Sequence, residues 1–433
     1  MAFPAFGSDD RTMLLRRKEL LTCVVDWKME YYVGRSSLTF LYRYAKMKTL
    51  GKVVEVMNYV LKHKDTALLK FEIVSNLRDP EVKINWKDEA HQSLLPLDLS
   101  CDDAGLAKWL KNRTIPRNRA FVNAFLAKCG LSINRPMDII SVSKGLSVND
   151  CFWIVPEDFT GTFDEYNLYD NPFNTILSYI AFTGVGSSNR TSLNSSPEFT
   201  TNGMLPKCWR RIKGKVLLYK GGTSGASNTG NEPYSEFYAA QVAKKMGLNH
   251  VPYTLGKWKG IVCSICELFC SKKYSYVPVG RISPPGGFSA VTEYYKQLGG
   301  RYYDEFVDMI VFDAVVCNTD RHYGNFGFLV DNDANQIAAP APLFDHGNSL
   351  FNLAGMDCWM DERELENYID TLQPAVYDDF IGTAKTLMQD WNREQLRHLL
   401  TFTIEPHHTY NLPARRRKMI EKQIQKRARM LLE

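Results

Sequence analysis

Two carboxylates and one amide at fixed spacing constrain this chain more than any other feature. The run Val316-Cys-Asn318-Thr-Asp320-Arg-His-Tyr-Gly-Asn325 sets an aspartate and an asparagine five positions apart, and Asp345-His-Gly follows twenty residues after Asn325. Phosphoryl transfer asks a protein for little covalent chemistry but for several groups in fixed places. One carboxylate takes the proton of the attacking hydroxyl; an amide oxygen and a second carboxylate hold magnesium on the phosphates. Taken singly, Asp320, Asn325 and Asp345 read as surface-turn residues, because Asn, Asp and Gly are the usual turn formers. Their order and spacing argue instead for a site. A helix-like run from Tyr303 to Cys317 would support the loop, and a strand-like Phe326 to Val330, a turn at Asp331 to Asn335 and a return to Phe344 would bring Asp345 beside Asn325.

Such a site also needs a cation on the phosphates and a carboxylate to hold that cation. Lys220 ends a strand-like run that starts at Lys215, and Glu236 lies in the first turns of a helix that Pro233 can open and Gly247 can close. Upstream, Thr200-Thr-Asn-Gly203-Met-Leu-Pro-Lys207 stands where a loop covering the phosphates is required. The bland alternatives are a strand-end lysine in water and a glutamate favoured by the helix dipole.

The rest of the composition excludes more than it names. At 433 residues with 53 basic and 48 acidic side chains, the chain is long enough for two or three domains, and its balance is too mild to point to nucleic acid. Ten scattered cysteines fit reduced thiols rather than a disulfide framework, and no stretch approaches a membrane span, so a soluble, cytoplasmic protein is expected. The sequon at Asn189 is then not glycosylated. Cys263-x-x-Cys266 lacks a second Cys/His pair for zinc, His407-His408 lacks a third ligand, and Gly145-Leu-Ser147 lacks the second glycine of a nucleophile elbow.

Apolar periodicity predicts helices over Met13 to Val25, Leu38 to Tyr44, Lys52 to Lys62, Leu106 to Asn112 and Arg119 to Lys128. The last two form a hairpin carrying Lys108, Lys111, Arg113, Arg117 and Arg119, which reads as a solvated basic face or as a DNA-binding helix pair. A Ser/Thr/Asn/Gly stretch from Gly184 to Gly203 marks a loop or linker. Pro413 to Glu433 carries eight basic residues against two glutamates, with an apolar stripe of Ile420, Ile424, Ala428 and Leu431. It reads as a packed terminal helix whose basic face meets water or an anionic partner.

These residues resemble the HipA-like serine/threonine kinases. Asn318 to Asn325 is similar to that family's catalytic loop, Leu217 to Lys220 to its lysine strand, and Glu236 to Gly247 to its glutamate helix. Cys266-Glu-Leu-Phe269 looks like its hinge. The resemblance implies ATP and Mg2+, with Asp320 as catalytic base, Asn325 and Asp345 as metal ligands and Lys220 on the phosphates. It also implies Glu236 as that lysine's partner and the backbone near Glu267 and Phe269 beside adenine, whereas the phosphate-loop region around Gly203 is not a clean match to the family. A protein substrate follows, and the family's autophosphorylated loop serine could here be Thr200, Thr201, Ser195 or Ser196. The glycine two residues after Asp345 is closer to the generic kinase pattern than to the family's form.

The expected fold is α+β: a two-lobed kinase-like pair, with a small β-rich lobe at 184–270 and a helical lobe at 271–433, after a mainly helical domain at 1–183. Two other functions fit parts of the sequence. A phosphoinositide-type lipid kinase also uses an Asp-Arg-His loop followed by Asp-x-Gly. A nucleotide-sensing DNA-binding regulator with an inactive kinase fold would use the basic helices. An antitoxin-like or DNA-binding partner is what the HipA-like resemblance implies. The long helical N-terminal region does not match that family's usual small N-terminal domain, so toxin activity and that partner do not carry over with it.

Overall fold

The structure, a computed structural model, describes residues 57–186, 195–225 and 229–433. The helices expected over Met13 to Val25 and Leu38 to Tyr44, and the Asn189 sequon, lie outside those residues.

The described chain opens on a sheet. β1 (Met57–His63) and β2 (Thr66–Ser75) form a hairpin across Lys64-Asp65. Lys64 there takes a φ of 48°, the left-handed conformation that a two-residue hairpin turn requires. β3 (Glu81–Lys87) and β4 (Phe152–Pro156) complete an antiparallel sheet in the order β3-β2-β1-β4. The helix expected over Lys52 to Lys62 is therefore corrected, since residues 57–62 belong to β1. The reason is two-sided burial: Tyr59 and Leu61 enter one hydrophobic cluster and Val60 another, so the strand reads as an unbroken apolar run that mimics helical spacing. Residues 57–183 thus combine this sheet with helices and are less purely helical than the sequence suggested. The helices Asp103–Lys111 and Val122–Lys128 fall where periodicity puts them.

A second antiparallel sheet follows, β5 (Lys207–Ile212), β6 (Lys215–Gly221), β7 (Thr254–Trp258) and β8 (Ile261–Glu267), in the order β5-β6-β8-β7. Between β6 and β7 the helix Glu232–Met246 buries Tyr238, Ala239, Val242, Ala243 and Met246 and stops at Gly247, whose φ of 78° suits a left-handed cap. The third sheet, β9 (Tyr274–Pro278), β10 (Gly327–Asp331) and β11 (Gln336–Pro340), runs β11-β10-β9. The rest of the C-terminal part is mainly helical, so the molecule is α+β.

The helix Gly300–Val316 crosses the largest hydrophobic cluster with Phe306, Val307 and every residue from Met309 to Val316 buried. A helix apolar on all sides belongs in a core. It ends at Cys317, which adopts a φ of 50°, and the Asn318 to Asn325 loop leaves from this rigid base.

The terminal helix Ala414–Leu432 buries Ile420, Ile424, Ala428 and Leu431, as the stripe predicts. Much of its charge is used within the chain. Lys422 and Lys426 pair with Glu362 and Glu366, the Arg427 Nε donates to the Ala314 carbonyl at 2.6 Å, and Arg416 lies over the Trp359 ring at 4.1 Å. The basic hairpin is likewise partly internal: Arg113 is buried in a pair with Asp150, and Arg119 in one with Glu198. No described helix is long and apolar enough to cross a membrane.

Candidate active site

Strand register brings the first two site groups together. Lys207 on β5 and Lys220 on β6 are direct cross-strand partners, so both side chains leave the same face of the sheet. Lys220 Nζ donates to Glu236 Oε1 at 2.7 Å and also contacts Asp345 Oδ1. Burial opposes a charge on Lys220, but the Asp345 and Glu236 carboxylates outweigh it and hold the ammonium above its ordinary range. Burial likewise works against the Asp345 carboxylate. The Lys220 and Lys207 charges reverse that and hold it below the usual carboxylate range. Lys207 has no such carboxylate pair: burial, then repulsion from Lys220, pushes its amine down to about 7.

Glu236 does a second job. Its Oε2 accepts the His346 amide at 3.0 Å, so one carboxylate ties β6 to the Asp345-His-Gly segment. Asp345 has a left-handed backbone, φ 57°, and its amide donates to the Tyr253 hydroxyl at 3.1 Å. These bonds hold a conformation that a non-glycine residue adopts only under constraint.

The loop from the Gly300–Val316 helix is fixed by its own amides. Asn325 Nδ2 donates to the Asp320 carbonyl at 3.0 Å, which leaves Asn325 Oδ1 without that duty. Asp320 Oδ2 accepts from Asn348 Nδ2 at 3.1 Å. The Tyr276 hydroxyl donates to the Gly324 carbonyl at 2.9 Å, tying the loop to β9.

Arg321, fully buried, joins these pieces. Its Nε and one terminal nitrogen meet both oxygens of Asp313 at 2.9 and 3.1 Å. The other terminal nitrogen donates to the Asn325 and Phe344 carbonyls at 3.0 and 2.6 Å, while the nitrogen that meets Asp313 Oδ1 also lies 3.2 Å from His346 Nδ1. One guanidinium therefore spans the supporting helix, the Asp320 loop and the Asp345 segment. Burial first and the Arg321 charge second keep the His346 ring neutral.

The structure thus gathers Lys220, Glu236 and Asp345 in direct contact, and Asp320 with Asn325 in one loop joined to Asp345 through Arg321. Gly203 lies apart in the segment before β5, with a φ of 92°, and a Cβ there would collide with Lys207 Nζ. Glu267 closes β8 and pairs with Lys215 at 2.7 Å. Phe269 follows, its ring 5.4 Å from Phe344, where the chain passes from the second sheet toward β9. Of the hydroxyls considered for modification, Thr200 donates to the Leu146 carbonyl, Thr201 to Pro197 and Ser195 to Ser143, while Ser196 is buried.

The donors fit a hard divalent cation and a polyphosphate. Asn325 Oδ1 and the Asp345 carboxylate, 30% exposed, are all-oxygen donors of the kind Mg2+ takes, and two lysines share the adjoining face.

No protein-family profile matches the chain. A search of curated proteins finds the serine/threonine-protein kinase CtkA of Helicobacter pylori, 25% identical over 182 residues. That match covers 39% of this chain and 54% of CtkA, so the chain spans about half the length of the curated relative it matches. Among solved structures, the H. pylori proinflammatory kinase CtkA aligns at a TM-score of 0.43 and 18% identity, covering 52% of this chain and 91% of that one. The HipA of a Shewanella oneidensis toxin–antitoxin complex with HipB and operator DNA aligns at 0.46 and 12%, covering 86% and 96%. Over the 182 residues matched to CtkA the chain is similar to a serine/threonine-protein kinase.

Sequence reasoning passed over several residues of this site. Arg321 stood inside the quoted Asp320–Asn325 loop, and an arginine between Asp320 and His322 was a usable signal. Lys207 stood at the end of the quoted phosphate-loop run. Asp313, Asn348 and Tyr253 carry no local signal in the sequence, because only the fold brings them to Arg321, Asp320 and Asp345.

Proposed function

We propose that this protein is an ATP- and Mg2+-dependent kinase that transfers the γ-phosphoryl group to a serine or threonine hydroxyl of a protein, its own chain included. One observation supports the reading: Lys220 bridges Glu236 and Asp345 while Arg321 binds the Asp320–Asn325 loop to the Asp345 segment, so that the five groups stand on directly joined segments.

Each residue has a task in that reaction. Asp320, oriented by Asn348, accepts the proton of the substrate hydroxyl as its oxygen attacks the γ-phosphorus and the bond to the β-phosphate bridging oxygen breaks, releasing ADP. Lys220, held by Glu236, and Lys207 opposite it bind and orient the phosphates. Asn325 and Asp345 would hold Mg2+, which supplies charge neutralisation on the phosphate oxygens. In this reading the backbone around Glu267 and Phe269 meets adenine, and Gly203 belongs to the loop over the phosphates. The internal pairing of Arg113, Arg119, Lys422, Lys426 and Arg427 leaves the lipid-kinase and DNA-regulator readings with less of the charge that motivated them.

Intact mass after incubation with ATP and magnesium tests the proposal. The wild type gains phosphate, whereas Asp320→Ala binds ATP and transfers about 10²- to 10⁴-fold more slowly, the usual contribution of a positioned general base. Asp345→Ala instead weakens magnesium-dependent nucleotide binding. Equal transfer by Asp320→Ala and wild type would refute the assignment of the base.

A further inference from the structure

The basic helical hairpin of the N-terminal region has no part in the site as described so far, yet its turn reaches the phosphate-loop segment. Arg119 is buried, and its terminal nitrogens make four contacts there: the Glu198 carboxylate at 2.6 Å and the carbonyls of Glu198, Thr201 and Lys207 at 2.6, 3.3 and 2.9 Å. The next residue, Ala120, donates its amide to the Met204 carbonyl at 2.8 Å. Phe121 then turns with a φ of 59°, a left-handed value rare for a bulky side chain, and its ring packs on Gly184. Strained backbone of this kind persists where neighbouring contacts fix it.

The same segment is anchored to the N-terminal region elsewhere. Phe199 is fully buried against Phe125, with ring centroids 5.0 Å apart, and the Ser195 and Thr200 hydroxyls donate to the Ser143 and Leu146 carbonyls at 3.0 and 2.8 Å. Glu198 passes the connection on, since its second oxygen accepts the Trp209 amide of β5 at 2.8 Å. The chain between Ser195 and Lys207 is therefore held along its length, and Lys207 is held by its own carbonyl.

We propose that Arg119 is a positioning residue for nucleotide phosphate binding. Through the 119–121 turn, the N-terminal region sets the loop around Gly203 and the placement of Lys207. This rests on the nucleotide-site reading above and assigns to residues outside both lobes a share in the affinity for phosphates. Arg119 does not itself touch the nucleotide; it acts through the segment it grips.

Calorimetry on the full chain with two probes, ATP with magnesium and adenosine, tests the inference, because only ATP reports on the phosphate loop. Arg119→Lys is the main variant: it keeps a charge beside Glu198 but cannot reproduce the forked bonds to three carbonyls. Arg119→Met with Glu198→Gln is the second, since removing both charges leaves no buried ion unpaired. Both are expected to lose about tenfold or more in ATP affinity, with adenosine affinity within about twofold of wild type. Unchanged ATP affinity in both variants would overturn the inference while leaving the nucleotide site standing. A matched loss of both ligands would also overturn it, by showing general loosening. Failure of the wild type to bind either ligand would remove the nucleotide reading itself, and this inference with it.

Discussion

Lys207 is the residue whose behaviour most directly tests the chemistry of the cleft. Its amine is pushed down to about 7 in the free protein, first by burial and then by Lys220. A polyphosphate binds the protonated form better, so ATP affinity is highest below that pH and declines as pH rises through it, by up to about tenfold per unit. Titrations of ATP binding between pH 6 and 9 should show this slope in the wild type and a flat, weaker profile in Lys207→Met; the same slope in the variant would remove Lys207 from the site. Asp320, Asn325, Asp345, Lys220 and Glu236 were legible in the sequence because each is fixed by spacing to a motif or by position at the end of an element. The role of Lys207 was not, because its meaning comes from standing across from Lys220, and register between strands is set by pairing rather than by local pattern.

At the scale of elements, Arg321 binds three segments at once and adds a buried charged joint to the hydrogen bonds that already run between them, such as Asn348 to Asp320. Replacing it by Met leaves Asp313 buried and charged without its partner, which costs about 3–5 kcal/mol. Urea unfolding should show that loss, and Arg321→Met with Asp313→Leu should recover most of it; a single variant as stable as wild type would mean the buried pair is not the joint. The helices Gly300–Val316 and Glu232–Met246 and the strand β6 were readable because their apolar periods are long and their ends carry glycine or proline signals. β1 was misread for the opposite reason. Tyr59, Val60 and Leu61 are buried on alternating faces, and a short strand covered on both sides has no period of its own.

Across the whole molecule, side chains distant in sequence close the fold. Asn335, in the turn after β10, donates to the Ser93 and Leu95 carbonyls, both at 2.7 Å, and Arg281 pairs with Asp98 at 3.1 Å. The terminal helix belongs to this closure. Deleting residues 413–433 should lower the unfolding midpoint steeply or prevent soluble expression, because it uncovers the cluster containing Ile420, Ile424, Ala428 and Leu431. A truncated chain with an unchanged thermal midpoint would return the helix to the status of an appendage. None of these long-range pairings is visible in the sequence, where the terminal helix showed the stripe that packs but not what it packs against, and the Ser/Asn-rich stretch read as a loop or linker. The two oxygens of Glu236 have a mechanical meaning as well. One meets Lys220 on β6 and the other the His346 amide, so this carboxylate, with the Lys220–Asp345 pair, fastens the second sheet to the Asp345-His-Gly segment. The joint is a clasp closed at two points, and both must open before the sheet and that segment part.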